Sequence, residues 1–150
     1  MLSDGTTAQL TAHRMVNCAL DSDPDGLTDA LETVVDQGDA LKPYVREVVA
    51  ELIQVATNAV HGSVGAEAES AAYAVDLHDD TDDSVSIDEL APQTRATIRA
   101  LLANLNGCHE DAEFQLDLAV RQLDPVTGLD TVRRALTMTI ALLRWTGEAP

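Results

Sequence analysis

Hydrophobic side chains recur every three to four positions along most of the chain, which is the period of an α-helix. The clearest run lies between residues 45 and 60, where apolar and polar side chains occupy opposite faces. Its apolar face is formed by Val45, Val48, Val49, Leu52, Ile53, Ala56, Ala59 and Val60. No segment alternates between apolar and polar residues as a half-buried strand does. The pattern therefore predicts an all-α protein.

Prolines, glycines and short acidic runs divide this pattern into about six to seven helices. Proline is favoured in the first turn of a helix, where its missing N–H has no partner to lose. Helices are predicted to begin near Thr6, Leu27, Pro43, Pro92, Glu110 and Leu129. A weaker, alanine-rich helix is predicted over residues 65–77, and the aspartate-rich segment 78–86 is interpreted as a solvated loop. We expect one compact bundle over residues 1–150, because a single core commonly serves a chain of this length.

The core must be built largely from aliphatic side chains. Hydrophobic residues make up 45% of the chain, but only Tyr44, Tyr73, Phe114 and Trp145 are aromatic. On the fifth predicted helix we expect Phe114 to point inward together with Leu118. Leucine and alanine favour helices intrinsically, so the composition agrees with the helical pattern.

The last predicted helix, residues 129–145, is apolar over much of its circumference. Its main stripe is formed by Leu129, Val132, Leu136, Ile140 and Leu143, while Met138, Leu142 and Trp145 lie off that stripe. Such a helix lies at the centre of a bundle or at an interface between subunits. The leading hypothesis is a non-enzymatic association module that forms a homo-oligomer, such as a homodimer, through this helix. The alternative is that the helix is the centre of a monomeric bundle.

The charge balance excludes two classes of partner. Twenty-six acidic residues face nine basic ones, giving a formal net charge of −17. Nucleic acids are bound mainly by lysine and arginine that neutralise phosphates, so DNA and RNA are not expected partners. An anionic membrane surface repels this chain for the same reason. The first residues lack the basic and apolar regions of a signal peptide, and we therefore expect a cytoplasmic protein.

One acidic segment has the spacing of a cation-binding loop. Residues 21–32 read DSDPDGLTDALE and fit the pattern D-x-D-x-D-G-x₅-E, which resembles an EF-hand calcium loop. The resemblance implies carboxylate ligands at Asp21, Asp23, Asp25, Asp29 and Glu32. It also implies the Leu27 carbonyl as a ligand and a sharp turn at Gly26. The alternative is a helix break whose aspartates cap the next helix.

A second acidic group suggests an enzymatic alternative. Glu110 and Glu113 form an ExxE pair, with Asp117 one turn further along. This resembles the first half of the Mg²⁺-binding motif of the MazG family of all-α nucleotide pyrophosphohydrolases. The second half, ExxD, does not occur downstream. The chain also lacks the common nucleophile and phosphate-loop motifs, so we predict no catalytic residue and no cofactor other than a Ca²⁺ ion.

Overall fold

The computed structural model describes residues 4–64, 86 and 89–147. Within them lie six α-helices and one 3₁₀ turn, and these residues contain no strand, which confirms the all-α prediction. The helices are α1 (Asp4–Leu20), α2 (Pro24–Val35), α3 (Leu41–Val64), α4 (Pro92–Leu105), α5 (His109–Ala119) and α6 (Pro125–Thr146), and the 3₁₀ turn is Gly38–Ala40. The helix predicted over 65–77 and the segment 78–86, apart from Ser86, lie outside the described residues.

Two Asp-Pro pairs set the starts of α2 and α6. Asp23 accepts a hydrogen bond from the N–H of Gly26, and Asp124 accepts one from the N–H of Thr127. In each pair the proline occupies the first helical position, where it removes an N–H that would have no helical partner. Both helices therefore begin earlier than their apolar residues alone predicted.

Helix α3 is the centre of the bundle, since it contacts each of the other five helices. Its predicted apolar face is buried along its full length: none of the eight residues from Val45 to Val60 is more than 6% exposed. Its most extensive partner is α6, and α4 and α5 pack on one another at the side. The aliphatic core expected from the composition is therefore concentrated along α3.

Helix α6 packs its main apolar stripe against α3. Val132, Leu136, Ile140 and Leu143 are all buried. Close to the start of α6, the buried Gly128 lies beside Val45, and further along Thr139 reaches Leu52. The two helices therefore run in roughly the same direction, and most of the apolar circumference of α6 is used inside the chain.

The predicted inward orientation of Phe114 is wrong, because its side chain is 57% exposed. The buried face of α5 is formed by Ala112, Leu116 and Ala119. Phe114 is two residues from both Ala112 and Leu116, which places it on the opposite side of a helix with 3.6 residues per turn. Helix α5 also ends at Ala119, and the turn that follows brings Leu123 back against Gly128.

Candidate functional site

The predicted calcium-binding segment is a short break followed by a helix. Helix α1 ends at Leu20 and α2 begins at Pro24, so Asp25, Asp29 and Glu32 are helical residues. A rise of about 1.5 Å per residue separates Asp25 from Glu32 by roughly 10 Å along the axis. Calcium ligands lie about 2.3–2.6 Å from the ion. The structure therefore does not bring all five predicted carboxylates around one point.

Gly26 has a local role at this break. It lies in the first turn of α2, and the described glycines with positive φ are Gly38, Gly107 and Gly147. A Cβ at position 26 would lie 2.5 Å from Asp23 Oδ2 and 2.8 Å from Cys18 Sγ. The absence of a side chain therefore leaves room for the carboxylate that caps α2.

The remaining acids of this segment are exposed. Asp21, Asp25, Asp29 and Glu32 all face solvent, and Asp29 lies 3.8 Å from Arg14 on α1. Over residues 4–64 and 89–147, no three or more histidine, cysteine or acidic side chains are grouped so that they could hold a metal ion. Calcium binding by Asp21, Asp23, Asp25, Asp29 and Glu32 stays a prediction, and Asp23 has an observed capping role.

The acids of the ExxE pattern contact a guanidinium group. Arg46 on α3 donates from Nη2 to Glu113 Oε2 at 2.5 Å and from Nε to Asp117 Oδ1 at 2.7 Å. Burial acts to lower the pKa of Arg46, but the hydrogen bonds and charges of Glu113 and Asp117 outweigh it and raise the pKa. Glu110 is exposed in the first turn of α5. Glu113 and Asp117 thus join α5 to α3, and the single guanidinium group compensates part of their negative charge.

Two exposed histidines, His13 and His61, join neighbouring helices. His13 Nε2 lies 2.8 Å from Glu51 Oε1, which connects α1 to α3. His61 Nε2 lies 2.9 Å from the carbonyl oxygen of Leu105, which connects α3 to the end of α4. Both cysteines are free, and Cys108 is exposed while Cys18 is partly buried. His13 and His61 therefore each contact an oxygen atom on a neighbouring helix, which gives them a structural role.

The exposed side of α6 carries a short apolar stripe. Met138, Ala141, Leu142 and Trp145 follow one another at helical spacing, and we call these four residues the α6 outer face. Met138 and Leu142 are partly buried against the core, while Ala141 is exposed. Trp145 is 71% exposed. The off-stripe residues of the sequence pattern therefore remain accessible after the main stripe has packed on α3.

The charge of α6 differs from that of the whole chain. The helix contains three arginines, Arg133, Arg134 and Arg144, and one acid, Asp130. Arg134 Nε donates to Asp130 Oδ2 at 2.8 Å. Helix α6 is therefore net positive in a protein with a formal charge of −17.

Comparison of the chain with protein-family models, curated proteins and solved structures found no match. The interpretation of its surfaces therefore depends on the chemistry of its own residues. In the described helices, none is long and apolar enough to cross a lipid bilayer. The α6 outer face is an apolar surface that stays partly accessible, with Met138 and Leu142 half-buried and Ala141 and Trp145 exposed.

Proposed function

We propose that the protein is a non-enzymatic association module that forms homodimers through the α6 outer face. The observation that carries this proposal is Trp145, which is 71% exposed at the end of α6. It continues an apolar stripe that includes Met138 and Leu142. The chain has four aromatic residues in all, so an exposed tryptophan is a large part of its aromatic surface.

Tryptophan is the residue type most often found at the energetic centre of a protein interface. Removing its apolar surface from water contributes about 25 cal/mol for each Å² buried. Met138 and Leu142 would border it with flexible and branched aliphatic groups that fill irregular contacts. Ala141 allows a close approach of a second helix, because its side chain is a single methyl group.

The charge of α6 differs from that of the acidic surface around it. Two copies that each carry a formal charge of −17 repel one another wherever acids meet. Helix α6 has three arginines and one acid, so two α6 helices that face each other do not bring groups of carboxylates together. Arginine is also enriched at interfaces, where its guanidinium group binds carboxylates of the partner.

A dimer with twofold symmetry can form through a single short stripe on each subunit. In a twofold dimer the same patch is used on both subunits, so each contact is made twice and the assembly closes. The proposal gives the protein a second copy of itself as partner and excludes nucleic acid on grounds of charge. A cytoplasmic location belongs to the same proposal.

Light scattering after gel filtration tests the proposal directly. The 16.0 kDa chain is expected to elute as a species of about 32 kDa at micromolar concentration and above. Trp145→Ala is expected to shift this species to the monomer mass, because it removes the largest apolar group of the face. The substitution is at an exposed position, so circular dichroism should show an unchanged helical content.

Val126→Ala is the matched control. Val126 is 78% exposed on the same helix, but it lies in the first turn and outside the outer face. The control variant is expected to keep the dimer mass. A monomer mass for the unmodified chain at all concentrations would refute the proposal, and so would an equal loss of dimer in both variants.

A further inference from the structure

A groove between α4 and α5 has an unusual lining for this protein. It is open to solvent and has a volume of about 300 Å³. Its walls are the first half of α4, the second half of α5 and the turn after α5, contributed by Pro92, Gln93, Arg95, Ala96, Arg99, Gln115, Leu118, Arg121 and Gln122. Three of these nine residues are arginines, three are glutamines, and none is acidic.

This lining departs from the composition of the chain. Acids make up 26 of its 150 residues and bases make up nine. One third of all basic residues nevertheless lines a single groove that has no carboxylate. Arg121 also borders an adjoining groove toward α3, which is lined by Lys42, Arg46 and Asp117 as well. The groove is therefore a basic region on an acidic protein.

The start of α4 adds further hydrogen-bond donors. Ala91 occupies the N-cap position, and its side chain makes no capping hydrogen bond. The first N–H groups of a helix carry a partial positive charge and have no partner within the helix. Pro92 and Gln93 of this turn line the groove, so the positive end of α4 lies beside the three arginines.

Gln115 supplies the second independent observation. Its Oε1 atom is buried and has no hydrogen-bond partner. Burying an amide oxygen without a partner is unfavourable, so such atoms are rare in folded proteins. Gln115 lies in the wall of the groove that Arg95, Arg99 and Arg121 also line.

We propose that the groove between α4 and α5 binds a small organic oxyanion, a phosphate or carboxylate compound that also carries a hydroxyl group. The guanidinium groups of Arg95, Arg99 and Arg121 bind the anionic oxygens. Gln115 is partly exposed, and its side chain turns toward the groove so that Oε1 accepts a hydrogen bond from the ligand hydroxyl. Arg95 and Arg99 have other interactions as well, and the ligand shares these two groups with their existing partners.

The geometry and size agree with a small molecule. Guanidinium groups present paired donors that match the two oxygens of a carboxylate or phosphate. Pockets for small ligands begin at about 300 Å³, which is the volume found here. The large negative charge of the rest of the chain excludes a nucleic-acid strand, because its phosphates would extend over acidic surface.

Calorimetric titration of the full chain at low ionic strength tests this site with three probes: inorganic phosphate, glucose 6-phosphate and succinate. Saturable binding is expected for at least one probe, and the strongest binder identifies the oxyanion as phosphate or carboxylate. Arg121→Gln is expected to weaken that binding about tenfold or more, since a hydrogen bond to a charged group contributes about 1.5–3 kcal/mol. Added sodium chloride should weaken it as well.

Arg133→Gln is the control, because it makes the same change of charge at an exposed position on α6. It should leave the affinity within about twofold, given the screening of exposed charges. Gln115→Met tests the hydroxyl contact, and it should reduce the preference for glucose 6-phosphate over inorganic phosphate.

Four outcomes would overturn the proposal. They are no saturable binding of any probe at millimolar concentration, full affinity in Arg121→Gln, an equal loss in Arg133→Gln, and an unchanged preference in Gln115→Met.

Discussion

The hydroxyl of Thr139 on α6 lies 3.1 Å from the carbonyl oxygen of Leu52 on α3, and both side chains are fully buried. The same hydroxyl lies 2.8 Å from the carbonyl oxygen of Ala135, one turn earlier on α6. A threonine at this point satisfies its own polar atom and joins the two central helices. The position is therefore sensitive both to the hydroxyl group and to side-chain volume.

Substitutions at Thr139 separate these two contributions. Thr139→Val keeps the volume and removes the hydrogen bond, which we expect to lower the free energy of unfolding by about 0.5–1.5 kcal/mol. Thr139→Ala also leaves a cavity and is expected to cost more, roughly 1–3 kcal/mol. Urea denaturation measures both values. Thr137→Ala, at an exposed site on the same helix, is the control. An effect of Thr137→Ala as large as that of Thr139→Ala would contradict this account.

The hydrogen bonds of Asp124 at the start of α6 predict that the stability of the fold depends on pH. The hydrogen bond from the backbone N–H of Thr127 is the main cause that lowers the pKa of Asp124 below the ordinary value of an aspartate, and the Thr127 hydroxyl contributes as well. A carboxyl with a lowered pKa stabilises the fold above its unfolded pKa, and this contribution is lost as pH falls through the lowered value. The variant Asp124→Asn keeps a side chain that can cap a helix, but the amide of this side chain does not titrate.

We therefore expect the difference in melting temperature between the unmodified chain and Asp124→Asn to be constant near neutral pH. It should shrink as pH falls below about 4. Thermal melts followed by circular dichroism at a series of pH values measure this difference. Melting temperatures that stay parallel throughout the acid range would show that the charge of Asp124 has no role at the cap.

Asp23 distinguishes a helix cap from a calcium ligand. As a cap, Asp23→Ala should lower stability by about 1 kcal/mol, and Asp23→Asn should have little effect, because asparagine is an equally good cap. We expect both results to be the same with and without calcium. As a ligand, Asp23 would stabilise the protein only in the presence of the ion.

Thermal shift measurements with Ca²⁺ at millimolar concentration decide between these roles, with Glu32→Gln as the second variant. A rise in melting temperature that calcium causes in the unmodified chain, and that Glu32→Gln and Asp23→Asn abolish, would establish the predicted site. It would also show that the start of α2 rearranges around the ion.

The ion pairs of Arg46 with Glu113 and Asp117 are expected to stabilise the packing of α5 on α3. Its side chain is 21% exposed, while those of Glu113 and Asp117 are about two-thirds exposed, so solvent screens much of the interaction. A double-mutant cycle with Arg46→Met and Asp117→Asn is expected to give a coupling energy of roughly 0.5–1 kcal/mol. It should decrease in about 1 M salt. A coupling energy indistinguishable from zero would mean that the ion pair does not hold α5 in place.

Most of the fold was predictable because its signals are local. The face of α3 and the main stripe of α6 have the helical period, and burial follows that period residue by residue. The starts of α2 and α6 were predicted late, because the apolar pattern begins one turn after the cap. Asp-Pro itself is the better signal, since the aspartate caps and the proline occupies the first helical position.

Phe114 was misplaced because residue type was given more weight than helical phase. The smaller residues Ala112 and Ala119 define the buried face of α5 and leave Phe114 on the outside. A helix whose inner face is made of alanine and leucine packs closely on its neighbour, and an aromatic ring does not fit there.

The interactions between distant segments could not be predicted from the sequence. Arg46 meets Asp117 across 71 positions, and Thr139 meets Leu52 across 87. The basic groove had a partial signal, because Arg95 and Arg99 are one turn apart on α4. Its other wall, with Gln115 and Arg121, depends on how α4 and α5 pack.

The fluorescence of Trp145 during dilution tests the central claim most directly, because it is the one tryptophan of the chain and forms the tip of the α6 outer face. If two copies meet there, the emission maximum should lie at shorter wavelength in concentrated solution and move to longer wavelength on dilution, as the ring becomes hydrated. The change should coincide with the loss of the dimer mass in light scattering. An emission maximum typical of a hydrated indole at every concentration would contradict homodimerisation through this face.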